Sequence, residues 1–168
     1  MSGRTGNRQA ARVQAPLLDR LIDDAPDQDR DPVLSAADSM AALRNSVRRD
    51  LEALLNARRR WRSWPRHMTQ LTTSPIGYGI PDFASGAFSD AGRREELRLE
   101  IEATIRRFEP RFLTVRVQLV DAHDRLETTL RLRIEAVLHA EPAPESVTFD
   151  TLVDPTTDDV VVRPGHVV

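Results

Sequence analysis

The chain turns a corner at Phe108-Glu109-Pro110-Arg111-Phe112, and that corner constrains its fold more than any other stretch. Ahead of it, Leu97, Ile101, Ile105 and Phe108 recur at steps of four, four and three, the spacing of one helix face. Behind it, Leu113, Val115, Val117 and Leu119 alternate with Thr114, Arg116 and Gln118, which predicts a half-buried strand. Pro110 has no amide hydrogen and drives Glu109 toward extended backbone, so the helix ends at Phe108 and the corner is stiff. Glu109 and Arg111 flank the proline with opposite charges and can enter a shared polar site within the fold or on a partner. The expectation is that Arg111 donates to a carboxylate or carbonyl while Glu109 accepts from a partner.

A second helical pattern precedes this one. Met40, Leu43, Val47, Leu51, Leu54 and Leu55 describe about five turns, with Ser35, Asp38 or Ser39 as the cap. Arg58, Arg59, Arg60 and Arg62 come after it and suit the negative end of a helix dipole, most simply as a solvated helix end. The stretch from Trp61 to Phe88, with Trp64-Pro65, Ser74-Pro75 and Tyr78-Gly79-Ile80-Pro81-Asp82, reads as an ordered loop with one helical turn. Its glycines make turns and do not complete a dinucleotide fingerprint. Ser89 or Asp90 caps the helix that runs to Phe108.

The carboxyl-terminal third has the pattern of a sheet. Val115 to Leu119 pairs with the alternating run Leu126 to Leu138 around a turn containing His123. Glu141-Pro142-Ala143-Pro144 breaks that strand, and a second hairpin joins Val147–Val153 to Val160-Val161-Val162. The expected class is α+β, with two main helices packed on a small, largely antiparallel sheet of about four strands built from two hairpins. The last strand belongs at an edge, where Val160, Val161 and Val162 would offer unpaired amides and carbonyls to a strand from another chain.

Residues 1–15 carry Arg4, Arg8 and Arg12 with almost no large apolar side chain and read as a disordered basic arm. Residues 16–32 combine a short apolar docking segment, Pro16 to Ile22, with an acidic, proline-containing linker. The folded domain is expected over 33–163, with 164–168 as a tail. There is no cysteine, no apolar run of the roughly 20 residues that span a bilayer, and no signal-like amino terminus, so a cytoplasmic protein is expected. A net charge of -2 gives no drive toward nucleic acid or anionic membrane. All 24 basic residues are arginine, which fits a GC-rich bacterial coding sequence.

Catalytic patterns are sparse. His67, His123, His139 and His166 have no metal-ligand spacing, and neither a phosphate loop nor a nucleophile elbow occurs. No cofactor or metal is expected. One enzymatic option is a carboxylate pair, Glu109 with Asp82 or Asp150, arranged as in a glycoside hydrolase.

Four ordered segments carry a resemblance: Ser46-Val47-Arg48-Arg49-Asp50-Leu51-Glu52-Ala53-Leu54-Leu55-Asn56-Ala57-Arg58-Arg59, Tyr78-Gly79-Ile80-Pro81-Asp82, Phe108-Glu109-Pro110-Arg111-Phe112 and Val147-Thr148-Phe149-Asp150-Thr151. Together, over about Pro16 to Val162, they resemble the TssE family of type VI secretion baseplate subunits, which is similar to the lysozyme-like wedge protein of contractile phage tails. The resemblance implies a non-enzymatic cytoplasmic protein, assembled at the inner membrane as part of the baseplate. It implies contacts with other wedge subunits and with contractile sheath proteins through exchanged strands, so that the chain links wedge to sheath and helps initiate sheath assembly. Tail tube or hub proteins are further candidate partners. The family's Glu-Pro-Arg motif falls on Glu109, Pro110 and Arg111, implicated in baseplate contact, with Tyr78 and Asp82 in the neighbouring motif. The alternative class is a peptidoglycan hydrolase using Glu109 as its acid.

Overall fold

The computed structural model describes residues 17–22, 26–27, 35–59, 64–65, 67–82, 90–120, 130–141, 143–154, 157 and 159–165. The basic arm, most of the acidic linker, Ser89, the His123 turn with Leu126 and Thr128, and residues 166–168 lie outside them.

Among the three caps open to the first long helix, Ser35 is used. Helix α2 spans Ala36–Asn56, the Ser35 hydroxyl accepts from the Asp38 amide at 3.1 Å, and Asp38 in turn accepts from that hydroxyl at 2.6 Å. Leu43, Val47, Leu51, Leu54 and Leu55 are all at most 4% exposed, and each full burial contributes about 1.5 to 3 kcal/mol. Helix α1, Leu17–Leu21, is a short piece on the amino side. Helix α3, Ala91–Phe108, begins at Asp90, whose carboxylate accepts from the Arg93 amide at 2.9 Å, and it buries Leu97, Ile101 and Ile105.

Between α2 and α3 the loop forms two 3-10 turns, Thr69–Thr73 and Pro75–Gly77, rather than the single turn expected. Two short strands, β1 (Arg58–Arg59) and β2 (Ile80–Pro81), pair in parallel. Gly79 makes this possible: with φ at 96° it brings the Ile80 amide 3.0 Å from the Ala57 carbonyl, and a Cβ there would sit 2.3 Å from that oxygen. The solvated reading of the arginines after α2 is corrected for Arg59. It is 9% exposed, bonds Glu100 of α3 at 2.7 Å and lies 5.9 Å from the Trp64 ring. Arg58 instead donates to the Leu55 carbonyl at 2.8 Å, as a basic residue at a helix end does.

The sheet is an antiparallel meander, β3 (Phe112–Val120), β4 (Leu130–Leu138), β5 (Glu145–Val153) and β6 (Val160–Pro164), each strand paired with the next. α2 runs along β6 and α3 along β3, so the helices cover one face in an α+β arrangement. Leu130, Leu132, Ile134, Ala136 and Leu138 point into the core with Val147, Phe149, Val153, Val160 and Val162. The alternation expected of β3 fails at its start. A register irregularity between Phe112 and Thr114 leaves Leu113 52% exposed, while Val115 and Val117 are buried and Leu119 partly so.

Candidate assembly surfaces

The proline corner closes a charged cluster between α2, α3 and β3. Glu109 caps α3, its amide donating to the Ile105 carbonyl at 2.9 Å, and is only 4% exposed. Its carboxylate accepts from Arg111 Nε at 2.6 Å, from the Arg111 amide at 3.2 Å and from Arg111 Nη2. The same guanidinium reaches α2, donating to Asp50 at 2.7 Å and to the Ser46 hydroxyl at 3.3 Å. Burial alone would lower the Arg111 pKa, but the bonds and charges of Glu109 and Asp50 outweigh it and raise it.

One expectation is therefore corrected. Glu109 does not await a donor from a partner, because its acceptor oxygens are engaged by Arg111 inside the fold. A proline between the two residues bends the chain back so that side chains two positions apart face each other and then α2. Tyr78 joins the cluster. Its ring meets Phe108 edge-on at 5.3 Å, and burial, followed by the negative charges of Asp50 and Glu109, raises the phenol pKa. Pro110 and Asp82 are exposed, Asp82 just past the end of β2.

Helix α1 is tied to the same cluster by its polar side. Asp19 accepts from Arg49 at 2.7 Å, and Arg49 also contacts Asp50. Burial would raise the Asp19 pKa, but Arg49, with Ser46 and Arg111, holds it below its ordinary value. Leu17, Leu18, Leu21 and Ile22 are 71%, 59%, 74% and 51% exposed. The segment presents its apolar side to solvent, the reverse of an ordinary surface helix.

The β6 edge holds the second correction. Its backbone groups are not left open. The Val160 amide donates to Asn56 Oδ1 at 2.8 Å, and the Val160 carbonyl accepts from Asn56 Nδ2 at 2.8 Å. The Val162 amide donates to Glu52 at 3.1 Å, and its carbonyl accepts from Arg48 at 3.3 Å. The next outward residue, Pro164, has no amide hydrogen. Val161 and Arg163 alternate with these and face β5, as the bonds from Asp154 to Asp159 (3.0 Å) and Gly165 to Thr148 (2.8 Å) fix. The Val160 and Val162 side chains lie in the core, while Val161 is 43% exposed on the opposite face.

The other edge is treated in the same way. Arg98 and Arg106 of α3 donate to the Val117 and Val115 carbonyls at 3.0 and 3.4 Å, and Glu102 accepts from the Val117 amide at 3.1 Å. Each edge is thus capped by a helical triad at i, i+4 and i+8: Arg48, Glu52 and Asn56 on β6, and Arg98, Glu102 and Arg106 on β3. That spacing is present in the sequence, where it passes for a solvated helix face.

Of the carboxylate pairs in the enzymatic option, Glu109 with Asp150 is not assembled. Asp150 lies on the sheet face away from the helices, bonded to Arg133 at 2.9 Å, whereas Glu109 is buried on the helix side. Among the described residues no group of His, Asp or Glu is placed to hold a metal ion, and no helix is long and apolar enough to cross a membrane.

A family model described as baseplate wedge protein gp25 matches residues 41–143, well over half the chain. The chain belongs to this family. It is the family of TssE, a structural baseplate component, and the match runs from α2 through the corner to the end of β4. Comparison with curated proteins gives no match. The strands β5 and β6, with their capped edge, lie beyond the matched residues.

Proposed function

We propose that this protein is a structural subunit of a type VI secretion baseplate, cytoplasmic and assembled at the inner membrane, that joins the wedge to the contractile sheath and helps initiate sheath assembly. The observation that carries this reading is the family match over the corner, together with what the corner does. Arg111 pins α2 to the junction of α3 and β3, so the surface bearing Tyr78, Pro110 and Asp82 is a rigid platform suited to a wedge subunit. Exposed Leu17, Leu18, Leu21 and Ile22 fit an apolar groove on such a subunit by helix-in-groove docking. A second copy of this chain is the poorer occupant, because a five-residue helix offers far less than the roughly 800 Å² per partner of a stable pair.

The buried ion pair of Glu109 supports the structural reading over a hydrolase, since a general acid must reach the bond it protonates. The test is co-purification of the tagged chain with the other wedge subunits and with sheath protein from cells. Recovery of both supports the linking role, recovery of wedge subunits alone restricts it to the wedge, and recovery of neither overturns it.

A further inference from the structure

We infer that the sheet face turned away from the helices is a docking surface for an acidic segment of a partner protein, one carboxylate of which enters a hollow beside Arg116. The helices cover one face of the meander and leave Arg116, Glu135 and Arg163 exposed on the other. The strand registers order that outer face in rows. Gln118, Arg133, Asp150 and Arg163 stand side by side across β3, β4, β5 and β6, and Arg116, Glu135 and Thr148 form the row next to them. The row on the other side is Val120, Arg131, Leu152 and Val161.

Both acids in these rows are engaged within the face. Asp150 accepts from Arg133 Nε at 2.9 Å, and Glu135 accepts from the Gln118 carboxamide at 3.3 Å. Arg116 and Arg163 bond no carboxylate among the described residues, although each has one as its register partner, Glu135 and Asp150 respectively. A solvated sheet face gains stability by pairing opposite charges across its strands, and here two such pairs are available and unused. The charge left over is cationic, on a surface that also exposes Val120 and Val161. The helix side differs, since Arg48, Arg98, Arg106 and Arg111 all pair with carboxylates there.

The face is hollow beside the unpaired guanidinium. A cavity of about 430 Å³ opens over Thr114, Val137, Ser146 and Thr148, and Arg116 and Arg133 also line it. Short side chains make the depression, and its hydroxyls and guanidiniums are donors suited to a carboxylate, the acceptor that forms the stronger, charge-assisted bonds. Glu135 lines the same hollow and Asp150 lies one row away, so a run of phosphates along the face is repelled where a single carboxylate beside Arg116 is accepted. That selects an acidic protein over nucleic acid or an anionic membrane. Val120 lies four residues along β3 from Arg116, about 13 Å away. The matching segment therefore carries a carboxylate and an apolar side chain that far apart, roughly nine residues of helix.

That the partner is a baseplate protein rests on the reading above; the acidic chemistry of the face does not. For the test, photoreactive benzoylphenylalanine takes the place of Thr148 in the full chain, which is expressed with the other baseplate and sheath proteins and irradiated. The expected adduct is a peptide of another protein that contains Asp or Glu. Its yield should fall about tenfold in Arg116→Glu/Arg163→Glu and return when that acid is changed to Arg in the partner. The double variant is expected to melt within about 2 °C of the parent, since neither guanidinium is bonded to a carboxylate within the fold; if it does not fold, Arg116→Gln gives the same reading.

An adduct peptide without an acid, a yield indifferent to the arginine changes, or a charge swap that restores nothing overturns the proposal. An adduct confined to a second copy of this chain or to nucleic acid does the same. Absence of any adduct while wedge subunits co-purify marks a solvated face, which overturns the docking surface and leaves the structural role standing. If neither wedge nor sheath protein is recovered, the linking role fails on its own account. The charge swap on whichever protein carries the adduct then decides the face, and absence of an adduct overturns it.

Discussion

Arg111 does at the residue scale what the sequence left undecided for it. A guanidinium presents several donors in a fixed fork, and here they are divided between Glu109 behind it and Ser46 and Asp50 across from it. Removing it strands Glu109, which is 4% exposed, as an unpaired buried charge. Arg111→Ala is therefore expected to destabilise folding by about 3 kcal/mol, at the low end for a broken buried pair because Arg111 itself is partly exposed. The double change Arg111→Met with Glu109→Gln should cost less than the sum of the single changes, since neither partner is left charged and alone. Urea denaturation of the four proteins in the cycle measures this. Additive losses would mean that the pair does not act as a unit. The sequence placed these two charges at a rigid point correctly but not their partner, because Asp50 lies 61 residues away along the chain and nothing local marks it.

The elements were largely legible and their edges were not. Period fixed α2, α3 and the alternation of β4, whose inward leucines and isoleucine behave as their spacing says. Leu113 departs from its pattern because one irregular residue at a strand start shifts the parity. The caps of the strands were invisible for a different reason. A polar stripe on a helix looks the same whether it meets water or reaches over a sheet edge, and only tertiary packing distinguishes the two.

Such a cap leaves a signature in acid. Burial pulls the Glu102 carboxyl upward, but the Val117 amide and the Arg106 and Arg98 guanidiniums outweigh it, so its pKa lies below the ordinary 4.5. A depressed carboxyl stabilises the fold fully above its unfolded value and ceases to do so as pH falls through the folded one. Stability of the parent relative to Glu102→Gln should thus be greatest near neutrality and shrink below about pH 4.5. Denaturation midpoints of both proteins from pH 6 to pH 3 track this, and parallel curves would show that Glu102 contributes no such linkage.

At the scale of the whole molecule, the described residues form an apolar core between helices and sheet, and α1 carries an outward apolar patch apart from it. Because Leu17 and Leu21 make no part of the core, Leu17→Ser/Leu21→Ser is expected to leave the thermal midpoint within about 2 °C of the parent and to reduce recovery of wedge subunits on co-purification. A marked fall in midpoint would place the helix against its own domain instead.

The bonds from Asn56 to Val160 join residues 104 positions apart, yet every strand of the meander pairs with its immediate neighbour in sequence. On a ribosome, strand by strand, the growing sheet always has a raw margin: first β3, then β4, then β5. α2 has emerged long before with its polar row waiting, but it has nothing to grip until the last strand arrives. Closure of the sheet thus waits for β6, and a chain interrupted before Val160 is left with β5 as a bare margin and three α2 side chains without their strand.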